Sequence, residues 1–229
     1  MQAACRCGFL AIFVVLGAGA ADADRWQAGA TLTIDTEAGS VIDRGEGDEL
    51  DHQGSFGVTL RGLASKQWPV FLGAGLDYRI GGSAPGGFLY EFNLMPLGLG
   101  YVVGDDLMVG MFAGAGVSQI TGRVEVAAQF PVEARVDLRL SRRLFLTGAA
   151  RALWALRDSR NAGSRTLDPF DEASARLTFR FGRRYHERKS SSTGDGYLLG
   201  VVVSEARGSR TWLGVFGYSL DVMAQRIPF

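Results

Sequence analysis

The sequence predicts an all-β chain, an antiparallel up-and-down β-barrel of about ten strands. Three observations predict it. Apolar and polar residues alternate with a period of two through most of residues 25–221. Glycine makes up 32 of the 229 residues, roughly twice its usual share, and many of these glycines fall inside the alternating segments. Tight turns and longer loops take turns as connections, the rhythm of a meander.

The first alternating segment is Trp26-Ala28-Ala30-Leu32-Ile34, with Gln27, Thr31 and Thr33 between. Phe56-Val58-Leu60 follows, then Val70-Leu72-Ala74-Leu76-Tyr78-Ile80. Tyr90-Phe92-Leu94 opens a strand in which Pro96, lacking an N–H, predicts a bulge. Leu107-Val109-Met111-Ala113-Ala115-Val117 comes next. The longest run has Val124, Val126, Ala128, Phe130, Val132, Ala134, Val136, Leu138 and Leu140 on one parity, with Glu125, Gln129, Glu133, Arg135, Asp137 and Arg139 on the other. A helix would mix the two sets. Leu144 to Trp154, Ala173 to Phe181 and Trp212 to Leu220 repeat the pattern, while Tyr197 to Glu205 is apolar on both parities and leaves its facing open.

The expected strands are 25–35, 54–63, 69–80, 88–102, 106–118, 123–140, 143–157, 172–183, 196–206 and 210–221, with 36–53, 81–87 and 158–171 as long loops. Tyr185 to Asp195 is long where a short turn is due, so eight strands with irregular segments is the alternative count. Residues 22–229 read as one domain.

Residues 1–21 read as an export signal. Arg6 precedes the apolar run Gly8 to Leu16, and Ala18 and Ala20 place the cut after Ala20 or Ala21. Cys5 and Cys7 leave with it, so the mature chain has neither disulfides nor thiolate metal sites. The formal charge is zero, with 24 basic and 24 acidic residues, which argues against nucleic acid as a partner.

Alternation alone does not say which face meets water. Three features favour an apolar exterior in lipid and a polar interior. Trp26, Tyr78, Tyr90, Trp154, Phe181 and Trp212 stand near strand ends, as membrane-interface aromatics do. The polar faces mix glycine with charge, as in Phe71-Gly73-Gly75-Asp77-Arg79. The chain is exported, and it ends on Phe229. A secreted soluble β-sandwich has the same pattern with its faces exchanged and stays as an alternative.

These residues make the chain resemble the small Gram-negative outer-membrane β-barrels. That resemblance implies periplasmic transit, insertion by the barrel-assembly machinery with Phe229 as the assembly signal, residence among outer-membrane lipid and lipopolysaccharide, and a monomeric state. Pro228 and Gln225 depart from an aromatic terminal strand, and Phe229 has the opposite parity to Phe216 and Tyr218.

The inward parity collects Arg61, Asp77, Arg79, Glu91, Arg123, Glu125, Glu133, Arg135, Asp137, Arg139, Arg151, Glu172, Arg176 and Arg180. Opposite charges in a narrow lumen are expected to pair, because an unpaired buried charge is costly. A structural charge network is therefore preferred to a pore lining. Residues 35–55 are rich in carboxylates, but their offsets are not those of a calcium loop, and they read as a solvated loop. Neither a cofactor motif nor a metal motif occurs. His52 with Ser55 and Asp48 is the one candidate catalytic set, in a chain without a G-x-S-x-G elbow. His186 lies in a basic stretch, residues 183–189, read as a solvated turn. The preferred expectation is a non-enzymatic outer-membrane barrel with a charge-filled lumen, serving envelope structure, surface interaction or limited small-solute passage. The runner-up is a lipid- or peptide-modifying barrel enzyme using His52.

Overall fold

The computed structural model describes residues 27–43, 50–67, 69–83, 87–103, 106–120, 127–141, 144–158, 165–188, 191–206 and 209–224. Trp26, Asp48, Arg123, Glu125, Phe229 and the export signal lie outside them. Ten strands follow one another: β1 (Gln27–Asp43), β2 (Leu50–Gln67), β3 (Val70–Ser83), β4 (Gly87–Val103), β5 (Leu107–Ile120), β6 (Ala127–Ser141), β7 (Leu144–Asp158), β8 (Arg165–Arg188), β9 (Ser191–Ala206) and β10 (Ser209–Ala224). Each pairs antiparallel with its sequence neighbours, and β10 pairs with β1 to close the barrel. Closure removes the sheet edge, so every strand is paired on both sides.

The strands run further than periodicity alone suggests. The expected loop 36–53 is mostly strand, since β1 continues to Asp43 and β2 begins at Leu50. The expected loop 158–171 holds the start of β8, and β8 and β9 leave only residues 189–190 between them. The apparent irregularity at 185–195 is therefore a long hairpin, and ten strands replace the alternative of eight. Polar sequences extend these strands because the partner strand, rather than the side chains, satisfies the backbone groups.

Following the register once around gives the shape. The path Gly29, Leu63, Gly73, Gly98, Phe112, Glu133, Arg151, Ser174, Ser204, Thr211 returns to β1 at Val41, 12 residues along. Ten strands with this stagger tilt by about 40° and enclose a backbone cylinder of about 10 Å radius. Pro96 sits where β4 shifts register between Leu94 and Leu97, the bulge expected of it, and the outward parity changes there from Leu94 to Leu97.

The polarity of the barrel is inside out. Leu72, Leu97, Leu99, Met111, Leu199 and Phe216 are exposed outward, while Asp35, Glu37, Arg61, Asp77, Asn93, Asp137, Arg180 and Asp221 are buried inward. The ambiguous strand is settled by packing. Tyr197, Leu199 and Val201 face out, and Leu198 and Val202 face in against Leu213 and Val215. A second apolar cluster, Leu63, Phe71, Met95, Val102, Met108 and Phe112, fills the lumen against β2–β5. Four of its members lie near the ends joined by the short turns.

Candidate functional site: the charged lumen

Arg61 on β2 is the tie that crosses the lumen. Its guanidinium donates to Asp77 Oδ1 on β3 at 2.6 Å and to Glu133 Oε2 on β6 at 2.8 Å, and its side chain is 4% exposed. It also donates to the carbonyls of Leu60 and Leu76 and lies 5.3 Å from the Phe112 ring. Glycine makes room for it. A Cβ at Gly75 would stand 3.0 Å from Arg61 Cδ, and one at Gly98 would crowd Phe112.

Three further arginines reach across. Arg151 on β7 pairs with Glu91 on β4 and lies 3.8 Å from Asp77. Arg176 on β8 pairs with Asp35 and lies 3.3 Å from Glu37, both on β1. Arg180 on β8 bridges Asp137, at 3.1 Å, and Asp221 on β10, at 3.7 Å. Arg79 pairs with Glu37 at 2.8 Å, and Arg135 with Asp137 at 2.6 Å. Thr147 donates to Asp137, and Asn93 and Gln129 donate to Glu91. Arg139 and Arg180 lie over the Phe145 ring. Glu172 is on β8 opposite Leu153 and Ala206.

The walls differ in sign. β6–β8 carry Arg135, Arg139, Arg151, Arg176 and Arg180, while the arc β10, β1, β2, β3 and β4 carries Asp221, Asp35, Glu37, Asp77 and Glu91. Among the residues whose side chains are described, Glu133 and Asp137 on the first wall, and Arg61 and Arg79 on the second, run against this division. A chamber of about 100 Å³ lies between the walls.

Sequence reasoning does not reach Asp35, Glu37 and Asp221 as luminal residues, nor Asn93, which with Gln129 donates to Glu91. Asp35 and Glu37 continue the parity of Thr31 and Thr33, but the density of carboxylates in residues 35–55 reads as a loop. They are instead buried strand residues, and the solvated-loop reading fails for them.

The candidate catalytic set is not assembled. His52 is exposed on the outward parity of β2, Ser55 is buried on the inward parity, and Asp48 lies outside the described residues. Strand alternation puts positions 52 and 55 on opposite faces. Replacing His52 with Ala is expected to leave both heat-modifiable migration and the lipid A and phospholipid profiles of expressing cells unchanged. A modified lipid species that disappears with the substitution would contradict this. His186 is on β8, paired with Thr193, rather than in a turn.

The aromatics expected at membrane interfaces divide between the two ends of the barrel. Tyr90, Trp154 and Trp212 stand near the long-loop ends of their strands, with Tyr78 packed edge-on to Tyr90 at 5.7 Å. Phe181, Tyr197 and Tyr218 form a chain toward the other end, with Tyr218 donating to Asp195. Apolar outside, ionic inside, with aromatics toward both ends, is the arrangement that lipid requires and water forbids.

The chain is a closed, all-antiparallel β-barrel of ten strands, apolar outside and charged within. No protein-family model matches it, and no curated protein matches it in sequence. Among solved structures it is similar to the β domain of the Bordetella autotransporter BrkA, at 14% identity over 90% of this chain and 100% of that one, with a TM-score of 0.45. It is similar to the translocator domain of the autotransporter NalP from Neisseria meningitidis, at 11% identity over 98% and 96%, with a TM-score of 0.42. Ail, the attachment invasion locus protein of Yersinia pestis, matches at 7% identity over 85% and 98%, with a TM-score of 0.37. Identities of this size say nothing about ligand or activity.

Proposed function

We propose that this protein is a non-enzymatic outer-membrane barrel whose lumen is held shut to ions by arginine–carboxylate ties and admits at most small polar solutes. Residues 1–21 serve as its export signal, cut near Ala20 or Ala21. The mature barrel works as a monomer among outer-membrane lipid and lipopolysaccharide, delivered by the barrel-assembly machinery. One observation carries the closed-lumen reading. Arg61 spans from β2 to β6 with both its carboxylate partners engaged, a tie placed across the lumen. An ion entering there has to displace a buried, doubly paired guanidinium.

Planar-bilayer recording tests this. The wild-type barrel is expected to show no large steady conductance. A stable, wide, ion-selective conductance would reject the closed lumen and make Arg135, Asp137 and Arg139 a channel lining.

A further inference from the structure

Beyond Phe181 the β8–β9 hairpin runs past its neighbour. Leu144, the first residue of β7, pairs with Phe181, so among the described residues β8 has no partner on that side from 182 to 188. On the other side β9 stays paired with β10 as far as Ser192. Exposed aromatics mark the level at which the hairpin leaves the wall. The Tyr197 ring lies 6.2 Å from that of Phe181 and 5.5 Å from that of Tyr218, and all three face outward. The Tyr218 hydroxyl donates to Asp195, two residues further out on β9.

A register shift decides which residues take the outward side of the hairpin. Phe181 pairs with Tyr197, but Arg184 pairs with Asp195, so β8 carries one residue more than β9 across this bulge. One extra residue exchanges the two faces of everything beyond it. In unbroken register Arg183, Tyr185 and Glu187 would continue the outward parity of Phe181. With the bulge, Arg184, His186 and Arg188 hold that parity, opposite Asp195, Thr193 and Ser191. The shift takes Glu187 off the outward side and puts a second arginine on it. Asp195 is the one carboxylate among these six register positions. The level suits a headgroup layer. At a tilt of about 40° each residue advances about 2.5 Å along the barrel axis. With the aromatic rings at the hydrocarbon boundary, position 184 lies about 5 Å beyond it and position 188 about 15 Å. The headgroup layer is about 5–7 Å deep, and a charge within about 8 Å of it still acts at physiological salt. An anionic lipid surface gains about fivefold in binding for each such cation, whereas headgroups without net charge gain little.

We propose that the outward side of the β8–β9 hairpin is a docking surface for anionic phospholipid headgroups in the leaflet at the short-turn end, which is the periplasmic leaflet in outer-membrane barrels. The proposal rests on the outer-membrane reading above. Native mass spectrometry of the detergent-folded barrel tests it, with phosphatidylglycerol and phosphatidylcholine of the same acyl chains supplied in equal amounts. Phosphatidylglycerol is expected to be retained at least fivefold better. Arg184→Gln with Arg188→Gln is expected to bring the two lipids to equal retention while heat-modifiable migration persists. A second variant exchanges neighbours, Arg184→Tyr with Tyr185→Arg and Glu187→Arg with Arg188→Glu. It keeps every charge, moves both arginines to the inward parity, and is expected to lose the preference as well. Equal retention of the two lipids by the wild type would overturn the proposal, as would a preference that survives in whichever variants fold. Sedimentation of the wild type with purified peptidoglycan, without any lipid preference, would overturn it in favour of an acidic wall polymer. A barrel that lacks the preference yet stays in the salt-washed outer membrane rejects this docking surface alone, and recovery in the soluble periplasm rejects the outer-membrane reading itself.

Discussion

Arg61→Ala is expected to destabilise the barrel by about 3–5 kcal/mol, the usual consequence of removing one partner from a buried ion pair. Asp77 and Glu133 would both lose the guanidinium they share, both largely buried, with Asp77 keeping only the 3.8 Å contact to Arg151. The loss also removes the stacking on Phe112 and the bonds to two backbone carbonyls. Urea titration of the detergent-folded barrel, read by heat-modifiable migration, measures it. A neutralised set, Arg61→Leu with Asp77→Asn and Glu133→Gln, is expected to recover much of the stability, because burying neutral groups of similar size avoids the uncompensated charge. If Arg61→Ala unfolds at the wild-type midpoint, the tie contributes nothing and the lumen is wetter than its geometry indicates.

The second large effect belongs to the outer face. Ala113→Arg places a guanidinium on the outward parity of β5, opposite Leu97 and Val132. A charge on the lipid face near mid-bilayer costs about 2–4 kcal/mol. Recovery in the salt-washed outer-membrane fraction is expected to fall sharply relative to wild type. Wild-type recovery of the variant would mean that this face meets water, as in the soluble sandwich. The neighbouring inward position is a poor control, for a reason invisible in the sequence. A Cβ at Gly114 would collide with the Leu94 carbonyl beside the Pro96 bulge. A side chain there pushes on the β4 backbone before it tests luminal volume.

Much of this molecule is legible in its residues. Period-two alternation named most of the strands, because a strand exposes alternate side chains to opposite environments whatever its neighbours are. The inward set from Arg61 to Arg180 followed from parity alone. Strand ends did not follow, because Asp35 to Asp43 is polar, and what extends it is pairing with β2 and β10 across the chain. The His52–Ser55 pair looked like a site only while it lay in a loop. Once β2 begins at Leu50, the same alternation separates the two side chains.

By itself the sequence determined the fold class, the near-even charge balance and the list of charges that share a face. Partnership was decided by the tertiary structure alone. Which carboxylate each arginine meets depends on the stagger of 12 residues around ten strands, and no local window contains that quantity. Arg61 meets Glu133, 72 residues away, and Arg176 meets Asp35, 141 residues away, because closing the barrel brings distant strands to one level. Asp35, Gly57 and Arg79 come level for the same reason: register aligns three strands there, and the two side chains approach so closely that a Cβ at position 57 would crowd the Asp35 carboxylate.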